Sequence, residues 1–104
     1  MDPTFLLELV GGDRSVAQEV MRDFVAVDTE DRRALAAAVA AGDPAEVRRR
    51  AHRINGAARS IGADEYARCA AVLEQGAPGT DTASAIAVLE RCASDIARWA
   101  ASFA

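Results

Sequence analysis

The chain has 104 residues, the span of a single domain, and its 16 acidic and 12 basic residues leave a formal net charge of −4. That balance argues against a protein built as a whole to hold nucleic acid. Hydrophobic residues make up 51%, and alanine supplies much of that share, which suits closely packed helices better than strands.

No apolar run approaches the roughly 20 residues needed to cross a bilayer, and no basic-plus-apolar leader opens the chain. A cytoplasmic location without membrane contact is therefore expected. Asp2-Pro3 opens a short segment, DPTFLLELVGG, with a capping aspartate, proline at the first helical position and two glycines closing it. The pair Gly11-Gly12 lacks the lysine and spacing of a phosphate loop and reads as a turn. A long helical stretch follows from Asp13 to Gly42. Val16, Val20, Phe24 and Val27 have the spacing of one buried face, Leu35 and Val39 resume it, and Asp31 breaks it with a carboxylate.

GDPAEV marks a boundary. Gly42 stops the preceding helix, Asp43 caps the next, Pro44 takes its first position and Glu46 completes a capping box. The helix that follows runs to about Ile61 and is stopped by Gly62. A fourth covers roughly 64–75, with Tyr66, Cys69 or Ala70, and Leu73 facing inward. After the loop GAPGTDT, the last helix carries Ala85, Leu89, Cys92, Ile96, Trp99 and Phe103 at alternating steps of four and three, a narrow bundle seam. Nothing alternates with a period of two. The expected fold is all-α: an antiparallel up-and-down four-helix bundle in one domain, 1–104, with the short N-terminal helix capping one end. Cys69 and Cys92 fall in apolar helical patterns and read as buried free thiols, with a disulfide or a metal pair as the alternatives.

On a helix turning about 100° per residue, Val47, Ala51, Ile54, Ala58 and Ile61 share an arc of roughly 80° and form the buried stripe. His52, the only histidine, lies about 140° from the centre of that stripe by the same geometry. Arg48, Asn55, Gly56 and Arg59 surround it on the outer side, and Arg49 flanks it. An exposed imidazole is mostly neutral at pH 7 and keeps a lone pair that can act as a nucleophile. Arginines on either side can hold a phosphoryl group by charge-assisted hydrogen bonds. Gly56 costs the helix about 1 kcal/mol relative to alanine, a cost that makes sense if something bulky must reach His52. The bland alternative is an inert surface histidine on a solvated arginine face.

AHRINGAARSIGA, residues 51–63, resembles the signature of histidine-containing phosphotransfer (HPt) domains. His52 matches the phosphorylated histidine, Ile54 the aliphatic position, Gly56 the small position and Gly62 the later glycine. The helix order is similar over nearly the whole chain, most like the C-terminal modules of hybrid sensor kinases. The resemblance implies a phosphoryl carrier of a bacterial two-component phosphorelay, without kinase activity of its own. His52 would accept a phosphoryl group from a receiver-domain aspartate and pass it to another receiver, the partners being those of a hybrid kinase and a response regulator. It implies no cofactor or metal on this chain, the Mg2+ belonging to the receiver, no nucleic acid, a monomer, and a cytoplasmic protein or the cytoplasmic part of a membrane sensor kinase.

The basic residue usual three places after the histidine is Asn55 here. Asn55 can donate to a phosphoryl oxygen, and Arg48, Arg49 or Arg59 would supply the charge. In an antiparallel pair turning at Gly42-Asp43, His52 lies level with residues 31–33, which makes Asp31 a candidate to pair with Arg48 or to orient the imidazole, the alternative being a simply solvated carboxylate. A receiver would dock on the outer surfaces of the second and third helices, with Phe5 and Leu6 at the edge. The competing function is a degenerate, non-phosphorylated interaction module that binds an acidic partner through its arginine face. A nucleic-acid binder using Arg48, Arg49, Arg50, Arg53 and Arg59 is opposed by the acidic remainder and the lack of nearby aromatics. A metalloenzyme is opposed by the single histidine and the absence of ligand-spaced cysteines.

Overall fold

The computed structural model describes residues 3–76 and 81–102, all the regular structure among them helical. Five helices follow in order: α1 (Pro3–Leu9), α2 (Arg14–Ala40), α3 (Pro44–Ser60), α4 (Asp64–Gln75) and α5 (Thr82–Ser102). Helices α2 to α5 pack each against the next, and α5 returns to α2, closing an antiparallel bundle. The molecule measures 43 × 19 × 19 Å. Asp2, the expected cap of the first helix, Phe103, the last seam position, and most of the GAPGTDT loop lie outside the described residues.

The ends of the helices obey local rules. Asp13 caps α2 by accepting from the Ser15 and Val16 amides, and Asp43 caps α3 by accepting from the Glu46 amide at 3.1 Å. The reciprocal half of the expected capping box is not made. The Glu46 carboxylate binds Arg49 and Arg50 instead, since two guanidiniums on the next turn are stronger partners than one amide. Helix α3 closes in a Schellman turn, with Ala63 N donating to Ala58 O and Gly62 N to Arg59 O. Gly62 has φ +77°, and a Cβ there would lie 2.6 Å from Phe5 Cδ1. Helix α1 therefore caps the bundle at the α3–α4 turn, Phe5 resting on Gly62 while Leu6 is fully buried.

The buried face of α2 corrects the sequence reading. It is Ala17, Met21, Phe24, Asp28, Asp31, Leu35 and Ala38, an unbroken seam of steps of four and three. Val16 and Val27 are exposed and Val20 is half-buried. Two carboxylates hold seam positions because each has a partner. Tyr66 Oη donates to both Asp28 oxygens at 2.8 Å, and Arg32 Nε donates to Asp28 Oδ2 at 2.9 Å. Arg32 also reaches Glu90 Oε2 at 2.5 Å, so one network, buried at Asp28 and Tyr66 and open at Glu90, joins α2, α4 and α5. Burial pushes the Asp28 carboxyl up, outweighing the hydrogen bonds from Tyr66 and Arg32.

Helix α4 buries Tyr66, Ala67, Ala70 and Leu73. Helix α5 buries Leu89, Ala93 and Ile96, with Ala85, Cys92 and Trp99 half-buried beside them. Cys69 and Cys92 are free thiols, half-buried rather than buried, with sulfurs 3.6 Å apart across α4 and α5. Their sequence separation hid that contact.

Candidate functional site

Residues Ala51, Ile54 and Ala58 form the inner face of α3, fully buried against the bundle, so the helix is a rigid rod. One step round from Ala51, His52 stands with 73% of its side chain exposed. The expected outward imidazole is present. On the same side, a Cβ built on Gly56 would meet no atom within 4 Å, so nothing inside the fold requires a glycine there.

The ring is held from one edge. His52 Nδ1 lies 2.5 Å from Glu74 Oε1 on α4. The Asn55 amide, then His52, hold the Glu74 carboxyl below its ordinary value. Glu74 is therefore ionised at neutral pH and can only accept, so Nδ1 must be the donor. The neutral ring then carries its lone pair on Nε2.

Asn55 departs from expectation. It is only 9% exposed, and both ends of its amide are engaged: Nδ2 donates to Glu74 Oε2 at 3.0 Å, and Oδ1 accepts from Arg59 Nε at 2.8 Å. Its amide faces α4 rather than an outside ligand. Asp31 is likewise buried, at 6% exposure, and its carboxylate meets Arg53 Nε at 3.5 Å. The expected register between α2 and α3 holds, but the carboxylate on the imidazole is Glu74 and not Asp31. Asp31 faces α3 at Arg53, one residue beyond the histidine, and α4 occupies the other side of the ring.

Among the arginines, Arg49 is bound to Glu46 and Arg50 Nε to the same carboxylate at 2.6 Å. Arg48 is exposed and leans beside Gly76 at the end of α4. It makes no ion pair among the described residues. Leu6, expected at the edge of a docking surface, is a core residue. It points inward because α1 closes the bundle end with that side chain. Phe5 at 48% and Leu9 at 58% exposure form the outer face of α1 instead.

A family model described as Hpt domain matches residues 19–99. The chain belongs to the Hpt domain family. Comparison with curated proteins and with solved structures returned no match. Hpt domains are helical phosphocarrier modules, not kinases, that act with receiver domains in histidine phosphotransfer. In this Hpt domain the match covers α3 whole, with His52 and Gly56, and the Gly62 turn that follows it. Among its described residues, no cluster of three or more His, Cys, Asp or Glu side chains could hold a metal ion. No described helix is long and apolar enough to cross a membrane.

The residue of this site that sequence reasoning missed is Glu74, the partner of the His52 ring. The signal was available. The register argument applied to the Gly42 turn, repeated about the Gly62 turn, puts residue 52 of α3 level with the low seventies of α4.

Proposed function

We propose that His52 is the phosphoryl-accepting residue of a multistep phosphorelay, taking the group from a receiver-domain aspartyl phosphate and passing it to the aspartate of another receiver. The observation that carries this reading is the exposed ring with Nδ1 bound to an ionised carboxylate, which leaves Nε2 as an outward nucleophile. In the transfer the Nε2 lone pair forms the N–P bond while the bond from phosphorus to the aspartyl oxygen breaks. The receiver carboxylate leaves, and the ring becomes a phosphoimidazolium. Its Nδ1–H stays on Glu74, whose negative charge stabilises the positive ring as it develops. No proton has to be removed.

The remaining residues take supporting roles. Arg48, one turn before His52, is the cation best placed to meet phosphoryl oxygens, because Arg49 is bound to Glu46 and Arg59 Nε to Asn55. Gly56 clears room for the receiver, and exposed Phe5 and Leu9 extend the docking surface past the end of α3. The Mg2+ that such transfers need belongs to the receiver's acidic site. The partners we expect are the receivers of a hybrid kinase and a response regulator, met by a cytoplasmic monomer.

Incubating the chain with a panel of phosphorylated receivers tests this. Acid-labile label should appear on the protein, vanish in His52→Ala and leave again when a second, unphosphorylated receiver is added. Tight receiver binding without any label on the wild-type chain would instead select the non-phosphorylated interaction module.

A further inference from the structure

We infer that Asn55 is a positioning residue: pinned by Arg59, it holds Glu74 where that carboxylate fixes the His52 ring in its Nδ1–H form. The inference rests on the reading of His52 as the phosphoryl acceptor and assigns a purpose to the position where a cation is usual. An asparagine amide has one accepting end and one donating end. Arg59 Nε can only donate, so Oδ1 must face it, and Nδ2 is thereby aimed at Glu74 Oε2. Both contacts agree on one orientation of the amide.

Glu74 reaches the ring on a long, rotatable side chain from a different helix. Held at Oε2 by Asn55, it keeps Oε1 2.5 Å from Nδ1. The chain Arg59–Asn55–Glu74–His52 thus runs from a guanidinium to the nucleophile in three hydrogen bonds. A lysine at position 55 has three donors and no acceptor. It could take Glu74 but would face Arg59 as a like charge. At 9% exposure the Asn55 amide is also out of an incoming phosphoryl group's way. Asn55 therefore acts through Glu74 and leaves the anion to Arg48.

His52 is the only histidine, so long-range 1H–15N spectra of the imidazole report one ring without overlap. Above the titration of the ring, the wild-type protein should show mainly the Nδ1–H tautomer. Asn55→Asp keeps the shape and the contact to Arg59 but turns an oxygen on Glu74, so the Nδ1–H fraction should fall. Glu74→Gln should reverse the tautomer, because the new side-chain amide would accept from Asn55 with its oxygen and offer its own N–H to Nδ1. Combining Asn55→Asp with Glu74→Gln restores an acceptor facing Nδ1 and should recover the wild-type tautomer. Transfer from a phosphorylated receiver should fall by about tenfold to a hundredfold in each single variant and recover in the double.

A wild-type tautomer and transfer rate in Asn55→Asp would overturn the proposal, as would a double variant no closer to wild type than either single. Should Asn55→Asp fail to fold, Glu74→Gln and the double carry the same decision. The tautomer needs no phosphate. A chain that never accepts label would defeat the proposed function while the spectra still decide the role of Asn55.

Discussion

Gly56 sits in a helical stretch where every residue type except proline would fold better. Its backbone does not need positive φ, and a Cβ would meet nothing within 4 Å. Alanine there should stabilise the domain by about 0.5–1 kcal/mol, the ordinary helix-propensity difference, read as a shift in the urea midpoint without a change of slope. Gly56→Gln keeps most of that gain but stands a long side chain beside His52. Transfer should then drop at least about tenfold, the equivalent of 1.4 kcal/mol of lost docking. The two readouts moving in opposite directions would mark the glycine as serving the partner rather than the fold. A Gly56→Gln protein that transfers at the wild-type rate would return Gly56 to chance. His52 and Gly56 were legible in the sequence because helical angle alone decides which way they face. Asn55 was not, since it lies at the edge of the buried stripe and its burial depends on where α4 comes in.

At the scale of elements, Gly42 and Gly62, two of the glycines that end helices in left-handed backbone, have different surroundings. Gly42 has φ +66° and open space where a Cβ would go, whereas Gly62 has φ +77° and the Phe5 side chain against it. Gly42→Ala should therefore cost only the left-handed strain, about 1–2 kcal/mol. Gly62→Ala should cost more, because the Phe5 Cγ and Cβ atoms, at 2.9 and 3.3 Å, lie near the ring's attachment and cannot swing away without moving α1. Thermal melts of both variants check the order, each kcal/mol shifting the midpoint by about 4–8 °C in a domain of this size. Equal losses would mean that α1 does not press on the α3–α4 turn. The turns were readable from Gly, Asp and Pro spacing, so the helix boundaries came out close to the sequence expectation. The face of α2 was readable only in part: Phe24 and Leu35 are buried as expected, and Asp31 lies on the buried side where it was read to break the stripe. Hydrophobicity counts Asp28 and Asp31 as outside, and alanines such as Ala17 and Ala38 give a weak signal, so the neighbouring valines drew the stripe a step aside. Only the partners on other helices, Tyr66 and Arg53, make carboxylates acceptable there.

Over the whole molecule, the Asp28–Tyr66–Arg32–Glu90 network makes stability depend on pH in a direction that can be worked out. Asp28 is raised by burial, so between the ordinary aspartate value, near 3.9, and its raised value the folded state holds more protons than the unfolded state. Stability contributed there falls as pH rises through that window. Three carboxyls work the other way. Asp13 is lowered by the Val16 amide and Ser15, Glu74 by Asn55 and His52, and Asp81 by Ser84. Each contributes stability above its unfolded value that is lost as pH falls through its folded one. The net curve mixes both signs, but a difference isolates one. In Asp28→Asn the three lowered carboxyls remain and only the buried titration disappears. The variant carries a fixed penalty for turning an amide N–H toward Arg32, and that penalty does not titrate. Its stability relative to wild type should therefore improve as pH rises from about 4 to about 7, measured by urea unfolding at each pH. A difference that stays flat, or worsens with pH, would mean that Tyr66 and Arg32 outweigh burial and that Asp28 is held ionised in the core. Tyr66→Phe supplies the control. Removing the donor from a buried acceptor should cost about 1–3 kcal/mol and push the Asp28 carboxyl higher still, which steepens the fall in stability with pH instead of abolishing it.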